Sequence, residues 1–113
     1  MGTVNDREEL LLEFLDSLEG STVVVEGRKD LKALTEAGVD PKTVVMLNKG
    51  LSLLETVEAL TGDKQVVLLT DMDGEGKRLR RRLLTMFGQY GIQENKRPRE
   101  LFARLRLSQV EGL

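Results

Sequence analysis

The stretch "QVVLLTDMDGEG", residues 65–76, decides which fold the sequence predicts. It begins with an apolar run of strand length, rich in β-branched residues, which is typical of a buried strand. It ends with two carboxylates one residue apart, Asp71 and Asp73, followed by Gly74 and Gly76. Carboxylates crowded at one point repel each other and resist ionisation. The end of this strand therefore requires hydrogen-bond donors, basic partners or a divalent cation.

Two other apolar runs of strand length come earlier, within "STVVVEG" at residues 21–27 and at residues 43–47. Helical patterns separate the three runs. Strands that are apolar along their whole length are buried on both faces, and strands that alternate with helices form parallel sheets between helix layers. We therefore predict a three-layer α/β/α fold with a mostly parallel sheet of about four strands, the fourth near residues 107–110. Helices are predicted at residues 6–18, 28–38, 52–62, 74–91 and 98–105, the third of them N-capped by Ser52.

A length of 113 residues is sufficient for one domain with one core. We expect a single domain over residues 1–113, with an N-terminal helix at 6–18, a motif-bearing core at about 20–90 and a C-terminal extension at 91–113. No apolar run reaches the roughly 18 residues that a membrane span needs. The N-terminal segment is too acidic for a signal peptide, so we expect a cytoplasmic protein with no membrane partner.

Cysteine and histidine are both absent from the sequence. Their absence excludes a disulfide framework, a thiolate zinc site, and Ser-His-Asp or Cys-His catalysis. Any bound metal must be held by oxygen ligands, which points to magnesium, manganese or calcium.

The net charge of −2 hides a strong asymmetry along the chain. Residues 1–73 carry 7 Lys/Arg and 15 Asp/Glu, a formal charge of −8, whereas residues 74–113 carry 10 and 4, a charge of +6. A basic last third beside an acidic cluster suits a phosphate-bearing partner. A solvated basic surface is the alternative that charge alone leaves open.

Acidic residues end two of the predicted strands. Glu26 ends the first, and Asp71 and Asp73 end the third. Since the carboxyl ends of parallel strands form the functional edge of a sheet, these carboxylates converge if the two strands are neighbours. Three glycines beside them leave room for a ligand to approach the backbone: Gly27, Gly74 and Gly76. Magnesium is typically held by one or two carboxylates together with waters and substrate phosphates, so we predict a magnesium site here.

Two motifs in this order resemble those of the Toprim domain family. "VVVEGRKD", residues 23–30, is similar to the family's glutamate motif, and "VLLTDMDGEG", residues 67–76, is similar to its DxDxxG motif. The resemblance covers roughly residues 20–90, and most of the chain when small stand-alone archaeal and bacterial Toprim proteins are compared. It implies a Rossmann-like fold and magnesium-dependent breaking or joining of phosphodiester bonds, as in topoisomerases, bacterial-type primases, overcoming-lysogenization-defect nucleases and ribosomal-RNA maturases.

The resemblance also implies roles for individual carboxylates. Glu26 would act as general acid or base and help to hold metal, while Asp71 and Asp73 would bind one or two Mg²⁺ ions, with Mn²⁺ as a substitute. Asp30 matches the last position of the glutamate motif, and either captures metal through water or favours the first helical turn. Glu75 either contacts a second metal or is a solvent-facing acid of the first turn.

Basic residues near the two motifs are candidates for binding nucleic-acid phosphate: Arg28, Lys29, Lys77, Arg78, Arg81 and Arg82. Asn48 and Lys49, after the second predicted strand, are further candidates for the same crevice. The sequence has only 3 Phe and 1 Tyr, so contacts to the backbone of DNA or RNA are expected rather than stacking on bases.

Several relatives within and outside the family fit poorly. A topoisomerase attacks with a tyrosine from another domain, and Tyr90, the only tyrosine, lies beyond the predicted active helix. A primase needs further domains. "LLTDMDGE" is also similar to the start of haloacid-dehalogenase phosphatases, but it ends the third strand here, and Glu75 replaces the threonine. We therefore expect a small nuclease-like or nucleic-acid-processing enzyme; the alternative is a non-catalytic or accessory module that binds metal and nucleic acid.

Overall fold

The computed structural model describes residues 6–47, 52–63, 65–105, 107 and 110–113. Helices and strands alternate along them as the apolar pattern predicts. In chain order they are α1 (Asp6–Ser17), β1 (Thr22–Val25), α2 (Arg28–Glu36), β2 (Val44–Met46), α3 (Leu53–Leu60), β3 (Val66–Leu68), α4 (Gly74–Tyr90) and α5 (Arg97–Arg104). Short 3-10 helices occupy Pro41–Thr43 and Val110–Gly112.

The sheet places β1 in the centre, with the order β2-β1-β3, and both pairings are parallel. Val24 of β1 lies opposite Val45 on one side and Leu68 on the other. Since β1 and β3 are neighbours, the residues that follow them, Glu26 and Asp71, reach the same edge of the sheet. The two motif-bearing strands are thus neighbours, which is the condition on which convergence of the acidic residues depended.

Alternate strand residues pack against opposite helix layers. Val23 and Val25 lie in one buried cluster with side chains of α1, α2 and α5, whereas Val24 lies in a second cluster with side chains of α3 and α4. The helices contribute the following fully or almost fully buried side chains: Phe14, Leu34, Leu101 and Phe102 to the first cluster, and Val57, Leu60, Leu83 and Phe87 to the second. Burial on both faces explains the uninterrupted valine runs and confirms the three-layer α/β/α fold.

The outer edge of β3 differs from the prediction of a fourth strand. Within the described ranges the sheet has three strands, and the chain pairs with β3 beyond them only at one parallel bridge, between Val66 and Glu94. The predicted strand near 107–110 lies partly outside the described residues, and at Val110 it is wrong, because Val110 begins a 3-10 helix. Val110 is fully buried, so its apolar character serves the core and not a strand.

Helix ends follow the capping chemistry of the sequence. Ser52 Oγ accepts a hydrogen bond from the Glu55 N–H (3.1 Å), and Glu55 Oε1 accepts one from the Ser52 N–H (3.2 Å), so α3 begins at the predicted cap. Helix α4 ends at Gly91, whose φ of 68° is left-handed and favours glycine. No helix in the described part of the chain is both long and apolar enough to cross a membrane.

Candidate metal and nucleic-acid site

A carboxylate joins the two motif-bearing strands where their backbone pairing ends. The last backbone hydrogen bond between them runs from the Leu69 N–H to the Val24 carbonyl (2.9 Å). Two residues further along each strand, the Asp71 N–H donates to Glu26 Oε2 at 2.5 Å. Hydrogen bonds in a parallel pair repeat every second residue, so the Glu26 side chain takes the position that its own backbone carbonyl would occupy if the ladder continued. The half-buried Glu26 carboxylate is thereby fixed against the loop that carries Asp71.

Asp73 has a structural partner at the start of α4. Its Oδ1 accepts a hydrogen bond from the Gly76 N–H at 2.7 Å, which makes Asp73 the N-cap of this helix. The bond uses one of the two carboxylate oxygens. Asp73 is otherwise exposed at the sheet edge.

The loop closes tightly on Gly76. A Cβ atom at this position would lie 2.0 Å from the Asp71 carbonyl oxygen, closer than any real contact allows. The missing side chain of Gly76 therefore makes room for the protein's own backbone. At Gly74 an added Cβ would meet only the Arg78 guanidinium, at 3.5 Å, which is ordinary van der Waals distance.

Thr70 and Arg99 hold the other side of this loop. The buried Thr70 hydroxyl donates to the Gly76 carbonyl (2.9 Å). Arg99 Nη1 donates to the carbonyls of Thr70 (2.8 Å) and Leu68 (3.3 Å) and to Thr70 Oγ1 (3.2 Å). The other terminal nitrogen, Nη2, donates to the Asp71 carbonyl (3.4 Å). The Leu68 and Thr70 carbonyls point away from β1, so the guanidinium satisfies the outer edge of β3 where a further strand would otherwise pair.

Arg99 is unusually buried for an arginine, since only 8% of the residue is exposed. Burial lowers the pKa of the Arg99 guanidinium, and the nearby Arg80 lowers it further, against an opposite effect of Glu94, Glu26 and Asp71. Arginine nevertheless stays protonated in proteins. A desolvated positive charge therefore lies beneath the loop that carries Asp71 and Asp73, which is called the acidic loop below.

The predicted carboxylates do not form a recognisable cluster. The Glu26 carboxylate accepts from the Asp71 backbone N–H at the sheet edge, but across the residues whose positions are described no group of three or more Asp, Glu, His or Cys is arranged as a metal site. Asp30 is buried and accepts a hydrogen bond from the Gly27 N–H at 3.0 Å, a contact within the first turn of α2. Glu75 is exposed in the first turn of α4.

The basic candidates fall into different places. Arg28 and Lys29 are exposed at the start of α2. Along α4, Arg78 and Arg82 line a groove that also contains Glu26, Glu75 and Leu79, whereas Lys77 and Arg81 line a separate pocket with Met72, Arg80 and Arg99. Asn48 and Lys49 lie outside the described residues.

Three residues at this site were not predicted from the sequence: Arg99, and the ion pair of Arg80 with Glu94. Arg80 Nη2 contacts both carboxylate oxygens of Glu94, at 2.7 and 2.8 Å, and the Glu94 side chain is almost fully buried. The sequence does carry an indication for Arg99, which stands three residues before Phe102 and hence on the same, buried face of α5. Burial of so long a cation is rare enough that charge alone does not predict it.

Comparison with known proteins assigns the chain to a family. The Toprim domain family matches residues 21–105, which is most of the chain, and the protein therefore belongs to this family. Similar proteins include the UPF0292 proteins of Archaeoglobus fulgidus (34% identity, over 86% of this chain and 77% of that protein) and Methanocaldococcus jannaschii (30%, 83% and 77%). A solved structure of a protein from Aquifex aeolicus superposes with a TM-score of 0.80 at 23% identity, covering 94% of this chain and 96% of that one, and shows the same fold.

Proposed function

We propose that this Toprim protein is a magnesium-dependent enzyme that cleaves or transfers phosphodiester bonds of nucleic acid, most simply a small nuclease. The observation that carries the proposal is the pairing of Glu26 and Asp71 at the carboxyl ends of adjacent parallel strands, with the Asp71 N–H bonded to the Glu26 carboxylate. Ligands of open α/β sheets bind at this edge. Membership of the Toprim family supports the same chemistry.

The donor atoms at this edge fit magnesium. Glu26, Asp71 and Asp73 supply only carboxylate oxygens, and Mg²⁺ is usually held by one or two carboxylates with waters and phosphates completing its coordination. A site of one or two carboxylates therefore suffices in this proposal, without the cluster of three that the sequence suggested. When bound, one or two such ions neutralise phosphate charge and stabilise the attacking and leaving oxygens. Mn²⁺, which prefers similar ligands, is the expected substitute.

In this proposal, residues of the chain transfer the proton, hold the cation and attract the phosphates. Glu26 is held in a fixed orientation by the Asp71 N–H, as a general acid or base requires, and it transfers a proton at its carboxylate. Asp71 and Asp73 hold the cation. The basic face of α4 attracts the phosphates of the strand, and Arg28 and Lys29 extend the positive surface to α2.

A cleavage assay tests the proposal. The protein is incubated with single-stranded, duplex and structured DNA and RNA in Mg²⁺ or Mn²⁺, beside Glu26→Gln and Asp63→Asn, an exposed control position. We expect cleavage of at least one substrate class by the wild type and by Asp63→Asn, and its loss in EDTA and in Glu26→Gln. Cleavage that persists in Glu26→Gln would show that the activity does not use this site.

A second candidate is a module that binds metal and nucleic acid without catalysis. It is favoured by the capping role of Asp73 and by the lack of a three-carboxylate cluster among the described residues. This candidate predicts that the protein binds nucleic acid and Mn²⁺, that Glu26→Gln but not Asp63→Asn weakens the Mn²⁺ binding, and that no substrate is cleaved in the assay above.

A further inference from the structure

Helix α4 presents its basic residues to two grooves that share no residue. Arg78 and Arg82 line the groove beside Glu26, on the β1 side of β3. Lys77 and Arg81 line a pocket of about 300 Å³ with Arg99, which lies at the outer edge of β3. The loop of Asp71 and Asp73 contributes the residue between them, Met72, to the lining of the second pocket.

The two grooves differ in charge. In the first, Glu26 and Glu75 offset Arg78 and Arg82, so its described lining is formally neutral. The described lining of the second contains four cations and no carboxylate: Lys77, Arg80, Arg81 and Arg99. An anion is therefore attracted to the second pocket rather than to the groove beside the catalytic candidate.

The cations of this second pocket play different parts. Glu94 holds the guanidinium of Arg80, and backbone carbonyls hold that of Arg99, so these two cations have fixed positions at the base of the pocket. Lys77 and Arg81 are exposed and lie one turn apart on the same helix face. The acceptors bonded to Arg99 are uncharged oxygens, so no carboxylate is hydrogen-bonded to it in the described contacts, although Glu94, Glu26 and Asp71 lie near enough to stabilise its charge.

We propose that this pocket is a phosphate-binding subsite for a nucleic-acid strand. Lys77 and Arg81 contact the phosphate oxygens, and Arg99 stabilises the same phosphate from below. The described lining contains no aromatic side chain, so the subsite takes the backbone and not a base. The proposal rests on the proposed function and deepens it, because it places a phosphate at the outer edge of β3, across the acidic loop from Glu26.

The test is an NMR titration of the ¹⁵N-labelled protein, without metal, first with inorganic phosphate and then with a short oligothymidylate. Lys77→Ala/Arg81→Ala removes the two exposed cations of the pocket. Arg78→Ala/Arg82→Ala removes two from the other groove of the same helix. Lys32→Ala/Lys42→Ala removes two exposed charges on α2 and on the 3-10 helix before β2.

We expect phosphate to shift the resonances of Met72 and Arg99 in the wild type and in both control variants, but not in Lys77→Ala/Arg81→Ala. For oligothymidylate, that variant should flatten the slope of log affinity against log salt by about 1.4, since each lost single-strand contact contributes about 0.7. Shifts that are absent from the wild type, or that survive in Lys77→Ala/Arg81→Ala, would overturn the subsite. Phosphate shifts without any oligothymidylate binding would overturn its assignment to nucleic acid.

The two proposals fail separately, because no cleavage is measured in this titration. A protein that binds oligothymidylate through Lys77 and Arg81 but cleaves nothing keeps the subsite and loses the nuclease. A protein that cleaves, yet binds through Arg78 and Arg82 alone, loses the subsite and keeps the nuclease.

Discussion

At the scale of single residues, the acidic loop is held by contacts that leave no freedom at Gly76. The Asp71 carbonyl oxygen lies where a side-chain carbon of residue 76 would be, and the Thr70 hydroxyl bonds the Gly76 carbonyl from the other side. The last glycine of the DxDxxG motif is thus explained by packing of backbone against backbone. The motif's other glycine, Gly74, has no comparable constraint.

We expect Gly76→Ala to destabilise the protein by about 1–3 kcal/mol or more, because the added carbon has to displace backbone and not a flexible side chain. Gly74→Ala is the matched control two residues away. Its Cβ meets only the end of Arg78, so its effect should be small or slightly stabilising, by less than about 1 kcal/mol. Urea unfolding followed by circular dichroism measures both, and equal effects of the two substitutions would contradict this account.

Arg99 is the second residue on which the loop depends. Replacement by Met removes the donors to the Leu68 and Thr70 carbonyls, and each buried carbonyl left without a partner costs about 1–3 kcal/mol. Arg99→Lys should recover only part of this loss, since one ammonium cannot reproduce the planar fork of donors.

The control for Arg99 is Arg97→Met, in the first turn of the same helix. Arg97 pairs with Glu13 on the surface, where both side chains are about half exposed, and such pairs contribute only about 0–1 kcal/mol. Thermal unfolding should separate the two positions clearly. A loss in Arg99→Met no greater than that in Arg97→Met would show that the guanidinium does not support the loop.

At the scale of elements, one side chain at the start of α4 has a structural role and a proposed chemical role. Asp73 caps the helix through Oδ1 and is also a proposed metal ligand. Serine caps helices about as well as aspartate but carries no charge, so substitution can separate the two roles.

We predict that Asp73→Ser retains nearly the stability of the wild type while its affinity for Mn²⁺ falls. Asp73→Ala should lose the metal affinity and, in addition, about 1 kcal/mol of stability as the cap is lost. Calorimetric titration with Mn²⁺ and chemical unfolding measure the two properties independently. Unchanged Mn²⁺ affinity in both variants would show that Asp73 caps the helix and is not a metal ligand.

At the scale of the whole molecule, the architecture was predictable because it depends on repeated patterns. Runs of valine buried on both faces and amphipathic helices between them indicate a parallel sheet between helix layers, and the end of each strand places Glu26 and Asp71 at one edge. The outer edge of β3 was not predictable in this way. There a single bridge at Glu94 and the Arg99 side chain take the place of a strand, and both depend on contacts between residues about 30 positions apart.

The hydrogen-bond partners of the individual carboxylates could not be predicted from the sequence either. The DxD spacing predicts acidic residues at one point, but it does not reveal that Asp73 turns towards the Gly76 N–H while Glu26 turns towards the Asp71 N–H. These orientations depend on the backbone path of the loop. Gly76 and Arg99 contact that backbone at Asp71, and such contacts cannot be read from a local sequence pattern.

The central claim is that Glu26, Asp71 and Asp73 bind a divalent cation at the edge of the sheet, and Mn²⁺ titration followed by NMR tests it most directly. The comparison is between wild type and Asp71→Asn/Asp73→Asn, in which asparagine keeps the capping ability of residue 73 while both charges are removed. We predict that Mn²⁺ broadens the amide resonances at the ends of β1 and β3 in the wild type, and that the double substitution abolishes this broadening although the protein remains folded. Equal broadening and equal Mn²⁺ affinity in the two proteins would contradict the account.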